Sequence, residues 1–308
     1  MWFATRGGGV NRFNPDTESF IRYQYDADDN TSLSGDQVWS LAENRNGDLL
    51  VGTLGKGLSR LDRKTDKFTR IAYNPSIDHS ISGNSIFAMY VDRSETLWLS
   101  VLDVGLNRLN QDSAIFNHYR HVPTDEHSLS DNSVQGFMQT RNGDFYVGTR
   151  AGGINIFDPL TGRFSLLHQQ DNPEHEVLTK STNQILEDDD GNLWIAFKEH
   201  GLVHFNLKTN KVRRFLHDAE DPYSISSNAI NRMLFDGSGN MWLATERGLN
   251  LFNLKTHKSK VYYHDEDDSD SLGSDWITYM LIDHNNRLWL GTLNGLDYFE
   301  PQTDTFNH

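Results

Sequence analysis

The sequence predicts an all-β fold: a seven-bladed β-propeller of four-stranded antiparallel blades whose first blade lacks its inner strand. Three observations carry this. An aromatic-rich element recurs at Trp2, Leu50, Trp98, Tyr146, Trp194, Trp242 and Trp289, so seven copies stand 47 or 48 residues apart. A fixed period of roughly 40 to 50 residues marks propellers and other arrays. A glycine closes a turn once per copy, at Gly9, Gly57, Gly105, Gly153, Gly201, Gly248 and Gly295. No segment shows a sustained helical period.

The copy that starts at Ser224 shows the elements in order. "SISSNAINRMLFD" is a β-prone apolar run, "GSG" turns the chain, and "NMWLAT" is a second strand. "ERG" turns again, "LNLFNL" is a third strand, "KTHK" is a polar turn and "SKVYYH" a fourth. Asn-Gly and Asp-Gly are hairpin signals because both residues tolerate positive φ. They recur at the first turn as Asn46-Gly47, Asn142-Gly143 and Asp190-Gly191. Such a meander has two apolar faces and cannot bury them alone. Stacking around an axis buries both, and seven units fall within the roughly four to eight of a propeller, which disfavours an open solenoid.

The second, third and fourth strands occur seven times, the last being "TFNH". First strands begin near Val38, Ile86, Val134, Thr182, Ile230 and Ile277, which makes six. A raw inner edge beside Trp2 is something proteins normally avoid. Residues 1–308 therefore read as one propeller domain and as a fragment of a larger multi-domain protein.

Composition narrows the function. Aromatics are 11% of the chain and Cys is absent, so there is no disulfide framework, thiolate metal site or Cys nucleophile. A formal net charge of -15 excludes a nucleic-acid phosphate binder, which needs basic surface. No apolar run approaches the ~18 residues of a membrane span. No nucleophile elbow, His-Glu-x-x-His pair or phosphate loop is present, so no catalytic residue, metal site or cofactor is expected.

The repeats resemble the two-component regulator propeller family. The residues that carry the resemblance are "NMWLATERGLNLFNLKT", "RLWLGTLNGLDYFEPQT", "NLWIAFKEHGLVHFNLKT" and "DFYVGTRAGGINIFDPLTGRF", each preceded by a segment like "SLSDNSV". The resemblance implies the periplasmic sensory part of a hybrid two-component histidine kinase or a related diguanylate cyclase, without enzymatic activity of its own. It implies as partners a small-molecule ligand and the rest of the receptor chain (a second propeller, a β-sandwich, a membrane span), with homodimerisation through the full-length receptor.

Residues shared by all repeats explain the fold, so the candidate site is sought among departures from the pattern. The repeated Trp and the repeated Thr (Thr5, Thr53, Thr149, Thr245, Thr292) are expected to pack blades and pin turns. Loops between fourth and first strands are acidic, as in "DADDNTS" and "DEDDSDS", without the ligand ladder of a calcium loop. The turns after second strands instead carry cations, among them Arg150, Lys198 with His200, and Arg247. First strands break pattern at Trp39, Arg232, Trp276 and Tyr279. Rings beside cationic donors suit a sugar or another small polar or anionic ligand at the channel mouth. Trp276, Tyr279, Arg232, Arg247, Lys198, His200, Trp39 and Arg150 are thus the expected ligand-binding residues.

The expected function is an extracytoplasmic ligand-sensing propeller of a signal-transduction receptor, binding a carbohydrate or other small polar ligand. The alternatives are a protein-interaction propeller and a propeller enzyme like the streptogramin lyases, for which Glu199-His200 would be the acid/base pair.

Overall fold

The computed structural model describes residues 1–15, 17–110, 115–168 and 172–308. Its strands form seven antiparallel sheets, the seven blades of a β-propeller; the first has three strands and each of the others four. Two compact units divide the chain at Leu166 and Leu167.

The first unit holds four blades. Blade 1 is β1 (Trp2–Ala4), β2 (Val10–Asn14) and β3 (Ser19–Tyr23). Blade 2 is β4 (Val38–Glu43), β5 (Leu49–Thr53), β6 (Leu58–Asp62) and β7 (Lys67–Ile71). Blade 3 is β8 (Ile86–Val91), β9 (Leu97–Val101), β10 (Gly105–Asn110) and β11 (Ile115–Tyr119). Blade 4 is β12 (Val134–Gln139), β13 (Phe145–Thr149), β14 (Ile154–Asp158) and β15 (Arg163–Leu166). The second unit holds the remaining three. Blade 5 is β16 (Thr182–Glu187), β17 (Leu193–Phe197), β18 (Leu202–Asn206) and β19 (Lys211–Phe215). Blade 6 is β20 (Ile230–Phe235), β21 (Asn240–Thr245), β22 (Leu249–Asn253) and β23 (Ser259–Tyr262). Blade 7 is β24 (Ile277–Ile282), β25 (Leu288–Thr292), β26 (Leu296–Glu300) and β27 (Thr305–Asn307). The six first strands begin where the sequence placed them, and β1 has no partner strand on its inner side among the described residues.

The second strands β5, β9, β13 and β17 are buried along their whole length because they are central in the sheet and covered on both faces. Within each unit the core lies between neighbouring blades. Trp194 of blade 5 packs with Ile230, Met233, Met241 and Phe252 of blade 6, and Trp242 of blade 6 with Ile277, Met280, Leu288 and Phe299 of blade 7. The repeated Trp is thus a packing element, and burying one such ring stabilises by about 2–3 kcal/mol. Trp98, Trp194 and Trp289 also donate their indole Nε1–H to the carboxylates of Asp92, Asp188 and Asp283 at 2.8, 3.2 and 2.9 Å. Those carboxylates accept at the same time from backbone amides of the hairpin turn, which satisfies a ring N–H that burial would otherwise strand.

In five blades the turn after the second strand is closed by the repeated Thr. Thr53, Thr149 and Thr245 donate Oγ1–H to the carbonyls of Gly57, Gly153 and Gly248 at 2.7, 2.8 and 2.8 Å. Gly248 needs to be glycine: its φ is +94°, and a Cβ there would lie 2.5 Å from the Tyr262 carbonyl oxygen.

The connection between blades 4 and 5 departs from the all-β expectation with a 3-10 helix, Pro173–Thr179. Asn172 caps it by accepting from the Glu174 amide, and proline opens it. "DNPEHE" is the local signal, an N-cap residue followed by proline, and it is too short to register as a helical period.

Candidate ligand site on blades 6 and 7

A recurring irregularity in the first strands aims the candidate side chains. All six carry a one-residue register shift against their second strand, between Val38 and Ser40 in blade 2 and between Ile230 and Arg232 in blade 6. The extra residues are Trp39, Phe87, Gln135, Asn183, Asn231 and Thr278. A bulge leaves its residue outside the ladder and turns its side chain aside. Asn183 and Asn231 therefore donate their side-chain amides to the carbonyls of Ile230 and Ile277 in the next blade, at 2.8 and 2.9 Å. Gln184 accepts from the Met233 amide at 2.6 Å. These polar groups are occupied in tying blades together.

Arg232 is differently employed. It follows the bulge of β20, and its guanidinium lies over the Tyr279 ring of β24, 5.6 Å from the centroid. Its one hydrogen bond runs from Nη1 to the Asn231 carbonyl at 2.9 Å. Burial pushes its pKa below the ordinary arginine range, opposed by the Tyr279 phenol. Tyr279 is 58% exposed and Trp276, just before β24, is 42% exposed, large values for rings on a first strand.

Backbone contacts join Arg247 and Trp276 to the same end of these blades. The Gly248 amide donates to the Asp275 carbonyl at 2.8 Å, and the Glu246 amide to the Ala229 carbonyl at 3.3 Å. Arg247 itself is exposed, its amide held by the Thr245 hydroxyl at 3.0 Å. Arg232, Arg247, Trp276 and Tyr279 are thus gathered where β20 and β24 begin.

Lys198 and His200 lie on the equivalent turn of blade 5. The Lys198 side chain is exposed. His200 stands edge-on to Phe197, with ring centroids 6.4 Å apart, and its buried Nδ1 has no hydrogen-bond partner. Glu176 of the 3-10 helix has its carboxyl lowered by its hydrogen bond to Lys180 and, more weakly, by Arg214 and His200. In the first unit, Trp39 meets Phe87 edge-on at 5.5 Å, and Arg150 is exposed on the turn after β13 with its amide bonded to the Ser133 carbonyl.

The sequence matches known proteins at two levels. The model of the two-component regulator propeller family matches residues 224–247 and 271–294, the first halves of blades 6 and 7. The chain is similar in fold to the extracellular domain of a hybrid two-component system from B. thetaiotaomicron, with 22% identity, a TM-score of 0.61, and 100% of this chain and 44% of that one covered. It is also similar to PorZ, a surface component of the type-IX secretion system of Porphyromonas gingivalis, with 17% identity, a TM-score of 0.67 and coverage of 96% and 43%. A third neighbour is a catalytically inactive virginiamycin B lyase from Staphylococcus aureus with quinupristin, at 10% identity, a TM-score of 0.64 and coverage of 93% and 86%. The chain spans less than half the length of the first two. No curated protein matches the sequence. Among the described residues no helix is long and apolar enough to cross a membrane, and no three His, Asp or Glu side chains gather as a metal would require.

Proposed function

We propose that this propeller is the ligand-sensing part of a signal-transduction receptor, lies outside the cytoplasm in the periplasm, and catalyses no reaction. Its ligand is a carbohydrate or another small polar molecule, held by Trp276, Tyr279, Arg232 and Arg247. The observation that carries this reading is the gathering of two exposed rings and two cations where β20 and β24 begin, at positions the repeat does not require. Exposed aromatic faces stack on sugar rings, and charged donors orient the polar edges. The family repeats and the fold of the bacterial extracellular domains support the setting. The remaining receptor chain is the partner that receives the signal. Bound ligand biases the packing of this domain against that chain only by its differential affinity for two arrangements.

Thermal-shift screening against neutral and acidic oligosaccharides, with analysis of the recovered ligand, tests the proposal. A sugar that raises the melting temperature and returns unchanged supports sensing, because a ligand that binds only the folded state stabilises it. A cleaved product would support a lyase-like propeller enzyme instead. No response to any sugar would favour a protein-interaction surface.

A further inference from the structure

We propose that Arg232 reads an oxyanion, the carboxylate or sulfate of an acidic sugar, at the site on blades 6 and 7. This rests on the ligand-sensing reading above and adds the charge class of the ligand.

The repeat shows that the fold does not ask for a cation here. The equivalent residues of the other first strands are Ser40, Ala88, Gly136, Gln184 and Tyr279. Nor does the blade need Arg232 for cohesion, since Asn231 supplies the link to blade 7. Arg232 is also without a counter-ion. No carboxylate lies within ion-pair distance of it among the described residues, in a chain with 43 acidic and 28 basic side chains. A guanidinium has five N–H donors, and this one uses a single donor, on a neighbouring carbonyl.

A half-buried cation with idle donors is costly to maintain unless something pairs with it. The guanidinium carbon lies over the Tyr279 ring, 5.6 Å from its centroid, and the donors not used on the Asn231 carbonyl are of the kind that grip a carboxylate or sulfate with two parallel hydrogen bonds. Desolvation, which pushes the Arg232 pKa down, is the strain that an arriving anion relieves. The exposed rings of Tyr279 and Trp276 then provide the stacking surface for the sugar that bears the anion.

Tetragalacturonate, its fully methyl-esterified counterpart and inorganic sulfate test this by titration calorimetry at constant ionic strength. The expected result is that the acid binds at least about tenfold tighter than the ester, or that sulfate binds, and that Arg232→Gln removes the anion preference. Gln occupies this position in blade 5, so the variant keeps the fold, which its melting temperature checks. Arg232→Lys keeps the charge and loses most of the gain, because a point charge cannot make the paired contact. Equal binding of acid and ester, or an acid preference that survives Arg232→Gln, overturns the inference and leaves the sensing reading standing. Binding of none of the three probes, with a positive thermal response to a neutral sugar, overturns it in the same way. Binding of none, with no response to any sugar, overturns both.

Discussion

Asn231 donates its side-chain amide to the carbonyl of Ile277, a residue 46 positions later, at 2.9 Å. This bond crosses from the bulge of β20 to the start of β24, and Asn183 repeats it one blade earlier onto Ile230. Replacing Asn231 with Ala leaves the Ile277 carbonyl without that partner. The expected cost is about 1 kcal/mol, read as a lower denaturant midpoint with an unchanged slope. An unchanged midpoint would show that the bond adds nothing to the packing.

A second stability prediction comes from a comparison between repeats. Phe20 on β3 is 51% exposed, while its equivalents Phe68, Phe116, Phe164 and Phe306 are 3–5% exposed. Phe116→Ala should cost ~3 kcal/mol, the usual penalty for emptying an aromatic core position, and Phe20→Ala less than ~1 kcal/mol. Equal costs would mean that Phe20 is covered in solution.

Gly248 gives a backbone test. Its positive φ and the 2.5 Å approach of a Cβ to the Tyr262 carbonyl predict that Gly248→Ala destabilises by more than ~1 kcal/mol. Gly237 also has a positive φ, but a Cβ there meets nothing within 4 Å. The gap between the two alanine variants isolates the clash from the conformational strain.

Asp283 sets a pH dependence. Burial alone would raise its pKa, but the Trp289 indole and the amides of Arg287 and Asn285 hold it below the ordinary carboxylate value. A lowered folded pKa means that the unfolded state binds the proton more readily. The contribution is therefore present above the unfolded pKa of about 4 and is lost as pH falls through the folded value. Asp283→Asn should be less stable than wild type at pH 7, with the difference shrinking toward pH 3. A difference that grows on acidification would contradict the assignment.

The fold was legible because the repeat makes seven measurements of one pattern. Trp194 and Trp242 mark the same strand, Thr149 and Thr245 the same turn, and the first strands begin at the apolar residues that announce them. The site was legible only as departures. Arg232 and Tyr279 break the pattern and do meet. Asn183 and Asn231 also depart from Trp39 and Phe87 at the same strand position, but their amides serve the next blade, and the bulge that reorients them has no sequence mark of its own. His200 sits on the turn equivalent to that of Arg247, but one blade earlier. The connection that carries the 3-10 helix is too short and irregular for periodicity to place.

The central claim is that the rings and cations of blades 6 and 7 hold the ligand. The most direct test is the dissociation constant of the sugar that gives the largest thermal shift, measured for wild type and for a folded Trp276→Ala variant. Trp276 is 42% exposed, so its removal leaves the core intact. Loss of a stacking anchor predicts affinity weaker by ~1–3 kcal/mol, roughly a factor of five to a hundred and fifty. An unchanged dissociation constant in the folded variant would contradict the account and move the site off these blades.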